Sequence, residues 1–585
     1  MDRHHVSDDH FSFNLVDQVW LPYVDTGGGT GTASLRQVLI DSPAIKDLTV
    51  DTPTQYPAIL RVLLAVLHRS MGTAHGKHHG SYPRDKRGWK KHYASGPPAT
   101  QINEYLDTWR DRFDLFGIEA PFLQVSDLRS TNGDRKPSSL LIPYAAAGNN
   151  APIFSAHRDA SPEALTPAQA TRWLIHAHAW DTAGIKTGAA RDTRAKNGKT
   201  TGNRTGLLGN LGVIVPTGDN LWETLMFNLL VLDDALSPRH DVPVWEHDSP
   251  LTANWQERSS RGLLDLYTWP GRRIRLFPEQ VDGEVRVREV LVCAGDRLRT
   301  DEPLHGKEPH TAWYSTAKKA QSATSSAKAP LLPYRPITHE PGQQLWRGLG
   351  GILGRGRDGT QRDQGLPLPK ALEQVGIFQR AIGRKLVRVH ASGIAYGLQN
   401  AVIDETYADV LPLPVALFEV EGEQELAKLA IAAVTDTGNA AWALGRLAAD
   451  IAFASGADED TQKAREPQAK NRLYAALDQP FRAWVAGLQD ESRIEDYRAD
   501  WHRTARQAAW KIASDLIGQA PPSAMRSRTR KEKPKGQKGE PMPMNLALAE
   551  REFSRRLRYR LPSAYPQQDS SPEQLPSDDQ NGDAD

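Results

Sequence analysis

The chain has a single cysteine, Cys293, in 585 residues. That excludes an intramolecular disulfide and any zinc site built from several thiolates, and it fits a reducing compartment. No run of about 18 apolar residues occurs, the least a membrane-spanning helix needs. The opening stretch MDRHHVSDDHF is polar and acidic, unlike a basic segment feeding an apolar one. Net charge is nearly absent, with 72 Lys and Arg against 71 Asp and Glu, so any surface for a polyanion has to be a local patch. The phosphate-loop pattern GxxxxGK(S/T), the GxSxG elbow and CxxC pairs are missing as well, which shifts the expectation toward a binding subunit. Together these absences predict a soluble cytoplasmic protein and leave no catalytic residue, metal site or cofactor to assign.

What is present is enough apolar material for a large core. Hydrophobic residues make up 39% and charged residues 24%, with 15 Trp, as in a globular protein. Single cores stop growing at about 250 to 300 residues, so two or more domains are expected.

The most distinctive stretch is Gly184 to Gly212. It carries Lys186, Arg191, Arg194, Lys196, Lys199 and Arg204 against one acid, Asp192, between repeated glycines including Gly184 and Gly188. Glycine lets a backbone approach a groove closely, and the basic side chains can neutralise phosphates. The alternative is a solvated surface loop, because Gly and Lys are also what flexible loops contain. The part from Arg191 to Arg204 is expected to be mobile in the free protein.

Taken in order, Phe11 to Val24 reads as a strand and hairpin entry, and Thr54 to Arg69 as a core helix. Gly72 to Thr100 reads as a long, poorly ordered loop, and Tyr105 to Phe116 as an amphipathic helix. Thr166 to Trp180 opens with a Thr cap and a Pro at the first helical position. Val213 to Val215, Leu263 to Phe277, Glu284 to Val292 and Leu386 to Ala395 carry strand patterns, the last ending in a turn at YGLQNA. From Glu423 the pattern becomes helical, over Glu425 to Phe453, Asn471 to Gln489, Ile494 to Gln519 and Met544 to Leu561. In the third of these, Tyr497, Trp501, Ala505, Ala508 and Ile512 mark a buried stripe. The fold class is therefore α+β: an irregular mixed α/β domain over 1–415, an all-α four-helix bundle over 420–565, and a disordered tail over 566–585. Between the last two helices, Arg526 to Lys538 holds seven basic residues and one acid, so Arg528, Arg530 and Lys531 are phosphate-contact candidates, a solvated linker being the alternative.

Histidine and carboxylate pairs are the ingredients of metal nucleases. His240-Asp241 and His247-Asp248 lie in the Pro-rich stretch SPRHDVPVWEHDSP, where adjacent side chains point to opposite faces and need further ligands from elsewhere. His176 and His178 face apart on one helix, and His75, His78 and His79 fall in a loop. A metal-dependent nuclease using the His-Asp pairs is the competing reading from a different class.

A set of segments in order resembles the CasA family, the large subunit of the type I-E CRISPR surveillance complex Cascade. The segments are FNLVDQVWLPYV (Phe13 to Val24), SLRQVL (Ser34 to Leu39), PAILRVLLAVLHR (Pro57 to Arg69), PFLQV (Pro121 to Val125), GNNAPIF (Gly148 to Phe154), the Gly-rich basic stretch, PGRRIRL (Pro270 to Leu276) and the helical C-terminal region. The resemblance implies recognition of the protospacer-adjacent motif (PAM) in double-stranded target DNA, help in opening that duplex for pairing with the guide RNA, and later docking of a helicase-nuclease. It implies no cutting by this chain. It also implies the partners of such a complex: guide RNA, backbone subunits, a small-subunit dimer and the subunit capping the guide 5′ end.

The family's glycine loop resembles part of Gly184 to Gly188, with Lys186 or a following Arg available for phosphate. Its glutamine wedge, which inserts beneath the PAM, corresponds to Gln399 with Asn400 beside it. Arg297 or Arg299 stands in for a family lysine that reaches the minor groove. The loop with Asn150, Ile153 and Phe154 resembles the one that contacts the complex near the guide 5′ end. Some members bind zinc through cysteines in the segment that here has only Cys293, so no zinc is expected. A third reading is a scaffold subunit whose basic loops bind guide RNA.

Overall fold

A computed structural model describes residues 11–74, 77–78, 80–143, 164–302, 304–315, 334–354, 366, 368–419, 422, 424–529 and 543–565. The chain divides into two units, Met1–Val420 and Glu421–Asp585. Among the described residues no helix is long and apolar enough to cross a membrane.

The first strand begins later than its alternating pattern suggests. β1 (Leu21–Asp25) pairs antiparallel with β2 (Thr30–Ala33) and β3 (Ile45–Leu48). The turn between β1 and β2 closes on the Asp25 carboxylate, which accepts the Gly27 and Gly29 N–H groups at 2.8 Å each. α1 (Gln55–Ser70) is buried along its whole length. Each of its two arginines meets an acid inside: Arg61 pairs with Glu308 and Arg69 with Glu246. Burying its Leu, Ile and Val side chains stabilises the unit by about 1.5–3 kcal/mol each.

The region 72–100, expected to be a loop, contains α2 (Lys86–Ser95), capped by Asp85, whose carboxylate accepts the Gly88 N–H at 2.6 Å. The helical pattern is hidden in the sequence because one residue, Trp89, does most of the anchoring. It is fully buried and stacks on Phe378 at 3.9 Å. The helix expected over Tyr105 to Phe116 lies earlier, at Ala99–Thr108, and then tightens into a short 3-10 turn at Arg110–Phe113.

α3 (Pro167–Trp180) starts at a Thr166–Gln169 capping box with Pro167 at its first turn, as its sequence demands. It delivers the chain to β4 (Gly184–Thr187), β5 (Lys199–Asn203) and β6 (Val213–Thr217), followed by α4 (Leu221–Asn228). A two-residue strand, β7 (Glu257–Arg258), precedes the long hairpin of β8 (Arg272–Val281) and β9 (Glu284–Ala294); β10 (Arg297–Leu298) then lies parallel to β7. Strands β8, β9, β4 and β5 form one sheet in that order, with Lys136–Pro137 also paired to β9. A second sheet is built on the hairpin of β11 (Leu386–Tyr396) and β12 (Ile403–Pro414), with β6 on the other edge of β11.

The C-terminal unit contains α5 (Glu425–Ser455), α6 (Glu459–Ala486), α7 (Ile494–Gly518) and α8 (Leu546–Arg560), with α5 packed against the other three. α6 starts well before the expected Asn471. Its first turns have no apolar stripe, but Asp458 caps them and Glu459–Lys463 and Glu466–Lys470 pair along the surface. On α7 the buried stripe runs Tyr497, Trp501, Ala505, Ala509 and Ile512, so Ala509 takes the place expected of Ala508. The Trp501 indole N–H reaches both the Ala433 carbonyl and Thr437 Oγ1 at 3.1 Å, fixing α7 on α5. The tail over 566–585 lies outside the described residues.

Candidate nucleic-acid interface

The Gly-rich basic stretch, expected to be mobile between Arg191 and Arg204, is built here as a hairpin. β4 and β5 pair antiparallel, with Lys186 opposite Thr200 and Thr187 opposite Lys199. Asp192, the one acid in the stretch, organises the loop from inside. Its carboxylate accepts the Arg194 N–H at 2.9 Å, the Thr200 hydroxyl at 2.9 Å and the Trp255 indole N–H at 3.1 Å. The Trp255 ring in turn carries two guanidinium groups, Arg194 at 4.1 Å and Arg297 at 3.9 Å from its centroid. The single acid of the stretch is thus the hub of the loop.

The basic side chains separate into two groups. Lys196 and Lys199 are exposed, and neither has an acidic partner among the described residues. Arg191 is exposed and pairs with Asp127. Lys186 points inward: its ammonium lies 2.7 Å from Asp181, which also binds Arg272, and its side chain is 12% exposed. Burial raises the Asp181 carboxyl, but the charges of Lys186 and Arg272 overcome this and hold it at about 2. As positioned here, Lys186 holds the fold, and its ammonium is not presented to a ligand. Arg204 is likewise engaged, with the Leu298 carbonyl at 2.6 Å and Glu257 at 3.2 Å.

Several glycines of the stretch serve internal packing. A Cβ on Gly188 would sit 2.8 Å from the Gly198 backbone, and one on Gly206 2.3 Å from the Ala179 backbone. Gly184 is different. Its φ is +97°, and an added Cβ would meet only the Ala401 Cβ, at 3.6 Å. What glycine supplies there is a backbone conformation that L side chains rarely adopt.

Gly184 adjoins the tip of the β11–β12 hairpin. The N–H of Ala183 donates to the Asn400 carbonyl at 2.8 Å, and the Tyr396 hydroxyl donates to the Trp180 carbonyl at 2.6 Å. The tip itself is closed by bonds from the Gly397 N–H to Val402 O at 3.0 Å and from the Asn400 N–H to Gly397 O at 2.9 Å. Gln399 and Asn400 are both in the left-handed region, at φ 55° and 56°, a conformation that costs a non-glycine residue about 1–2 kcal/mol. Both side chains are exposed and neither makes a hydrogen bond among the described residues. Beside them Leu398 is 84% exposed, and on β4 Ile185 is 63% exposed. Sequence reading missed these two apolar side chains; Leu398 at a turn flanked by polar residues was the available signal.

Arg297 lies beside β5, donating to Thr201 O at 2.8 Å and Asn203 Oδ1 at 3.1 Å. Arg299 is exposed and bidentate to Asp301 at 2.8 and 2.6 Å. Nothing local in the sequence announces that Trp255 supports Arg297. In the C-terminal unit Arg528 donates to the Ala454 carbonyl at 2.9 Å near the end of α5. Arg530 and Lys531 lie outside the described residues, as do Asn150, Ile153 and Phe154.

The carboxylate of the first histidine and carboxylate pair is occupied by the fold. Asp241 is buried and accepts the Leu264 and Asp265 N–H groups at 3.0 Å each, while His240 is exposed. His176 contacts Thr54 Oγ1 at 2.9 Å and is lowered to about 3 by burial; His178 contacts Leu123 O at 2.9 Å and is lowered to about 4, again by burial. Burial pushes the Cys293 thiol up to about 12. Among the described residues no group of three His, Cys, Asp or Glu side chains is placed to hold a metal ion.

Residues 14–512 match the family of CRISPR-associated protein Cse1. A CRISPR-associated protein CasA/Cse1 of Thermus thermophilus is 28% identical over 528 residues, spanning 86% of this chain and 93% of the relative. The crystal structure of Thermobifida fusca Cse1 shares 32% identity over 95% of this chain and 99% of its own, with a TM-score of 0.80. Cse1 of Acidimicrobium ferrooxidans shares 30% identity over 96% of this chain and 100% of its own, with a TM-score of 0.79. The chain belongs to the Cse1 family.

Proposed function

We propose that this Cse1-family chain is the large, non-catalytic subunit of an RNA-guided CRISPR surveillance complex in the cytoplasm, and that it reads the PAM of double-stranded DNA with the surface formed by Gly184 and the β11–β12 tip. In this reading Gly184 lets the β4 backbone approach the minor groove. Gln399, its amide without a hydrogen-bond partner among the described residues, enters beneath the motif, where it can stack and hydrogen-bond in place of a base pair. Leu398 and Ile185 supply apolar surface beside it. Opening a step in this way costs a few kcal/mol of stacking, offset by the new contacts. Lys196, Lys199 and Arg194 lie on the adjoining loop and suit phosphate contacts, with Arg297 held against β5 by Trp255. Guide-RNA pairing then reads the rest of the target.

The observation that carries this reading is the Ala183–Asn400 hydrogen bond, which makes one exposed surface of two segments far apart in sequence. The partners follow from the family resemblance: guide RNA, backbone subunits, the small-subunit dimer, the guide 5′-end cap subunit and the helicase-nuclease. Residues 1–415 serve recognition and docking, and residues 420–565 form the bundle. The test is target binding by the reconstituted complex with and without this chain. Motif-dependent binding to closed duplex that disappears when the chain is left out supports the reading. Equal binding without it favours a scaffold role.

A further inference from the structure

α2 presents four cations on one side. Lys86, Arg87, Lys90 and Lys91 are all exposed, while Gly88 and Trp89 on the opposite side are buried. None of the four has an acidic partner among the described residues, whereas Arg84 just before the helix pairs with Asp234 at 3.0 Å. The side is rigidly held. Trp89 stacks on Phe378 at 3.9 Å and on Tyr93 at 5.1 Å, its indole N–H donates to Met226 O at 3.0 Å, and Trp222 of α4 donates to Tyr93 O at 3.3 Å.

This arrangement works against the helix. Lys86 and Arg87 occupy its first turn, where the macrodipole disfavours cations. Lys86 with Lys90, and Arg87 with Lys91, are like-charge neighbours at i and i+4. Among the described residues no acid pairs with any of the four, the nearest in sequence being the Asp85 cap, so a polyanion is the natural complement. The patch has no exposed large apolar side chain, so it lacks the anchor that a protein interface needs. Its aromatic rings, Trp89 and Tyr93, are stacked against each other and against the core, so it also lacks the platform on which single-stranded bases stack. What remains suits the continuous phosphate backbone of a duplex.

We propose that the Lys86–Lys91 side of α2 is a sequence-independent binding surface for the phosphate backbone of double-stranded DNA. It stands apart from the hairpin tip: α2 packs on α4, which follows β6, and β6 pairs with Arg388–Ser392 of β11, at the end of the hairpin away from Gln399. The assignment does not rest on the tip reading.

The test uses the full-length chain and a short DNA duplex of random sequence, titrated over a range of salt concentrations, with single-stranded RNA as a second probe. Replacing Lys86, Arg87, Lys90 and Lys91 together by Gln removes the charge and keeps good helix formers. The expected result is at least about tenfold weaker duplex binding and a log–log salt slope shallower by roughly 0.9 for each cation that contacts a phosphate. The melting midpoint should stay level or rise, because the repulsion is gone. Should the fourfold variant fail to fold, Lys90→Gln with Lys91→Gln gives the same readout at half the slope change. Unchanged duplex affinity and slope would overturn the proposal, as would a loss confined to single-stranded RNA.

Discussion

The backbone N–H of Ala183 lies 2.8 Å from the carbonyl oxygen of Asn400. That bond ties the residue before β4 to the tip of the β11–β12 hairpin, so the conformation of Gly184 and the direction in which Gln399 projects are coupled. Replacing Gly184 by Ala therefore tests geometry more than volume. The new Cβ has room beside Ala401, but the positive φ becomes strained by about 1–2 kcal/mol. A modest fall in the denaturation midpoint with weakened duplex binding is expected. Gly206→Ala, by contrast, drives a Cβ into the Ala179 backbone and should prevent normal folding, seen as loss of soluble protein.

The lysines of the basic stretch divide by role, and substitution should separate them. Lys186→Met leaves Asp181 with Arg272 as its remaining cation and should destabilise the fold by about 1–3 kcal/mol. Lys199→Met should leave stability within about 0.5 kcal/mol and make the salt dependence of DNA binding shallower by about 0.9 if Lys199 contacts one phosphate. Chemical denaturation and salt titration of both variants give the comparison.

Trp255 holds two arginines and one carboxylate at once. Trp255→Phe retains a ring for Arg194 and Arg297 but leaves Asp192 Oδ2 with only the Thr200 hydroxyl, costing about 1–3 kcal/mol. Trp255→Ala removes the stacking surface too and should cost about 3–5 kcal/mol. Equal losses in the two variants would show that the ring contributes only its hydrogen bond.

Stability should fall on acidification well before the carboxylates titrate. Burial depresses His176 to about 3 and both His68 and His178 to about 4. Each is neutral in the folded state and protonates near pH 6.5 when unfolded. Their contribution is complete above about pH 6.5 and is lost as pH falls from there toward 4 and 3, at about 1.4 kcal/mol per unit for each group. Asp181, held at about 2 against an ordinary 3.8, adds a further loss only below pH 3.8. Denaturant midpoints should be level at neutral pH and drop steeply between about pH 6.5 and 5.

Much of the fold is local chemistry that the sequence states openly. The Thr166–Gln169 capping box, the strongly apolar stretch of α1 around Arg61 and the alternation along β8 and β9 each determine their element without outside help. α2 was hidden because its stability comes from Trp89 meeting Phe378, a tertiary contact that no periodicity reports. The site was legible in the same uneven way. Gln399 could be placed at a turn by its neighbours. That Lys186 faces inward depends on Asp181 and Arg272 arriving from other elements, and that Asp192 organises the basic loop depends on Trp255.

The most direct test of the account is target binding by the reconstituted complex carrying Gln399→Ala, on a closed duplex with the motif and on the same target opened in advance as a bubble. The account predicts failure on the closed duplex and recovery on the bubble, because the glutamine acts by separating the strands. Binding of both targets at the level of the unaltered chain would contradict it.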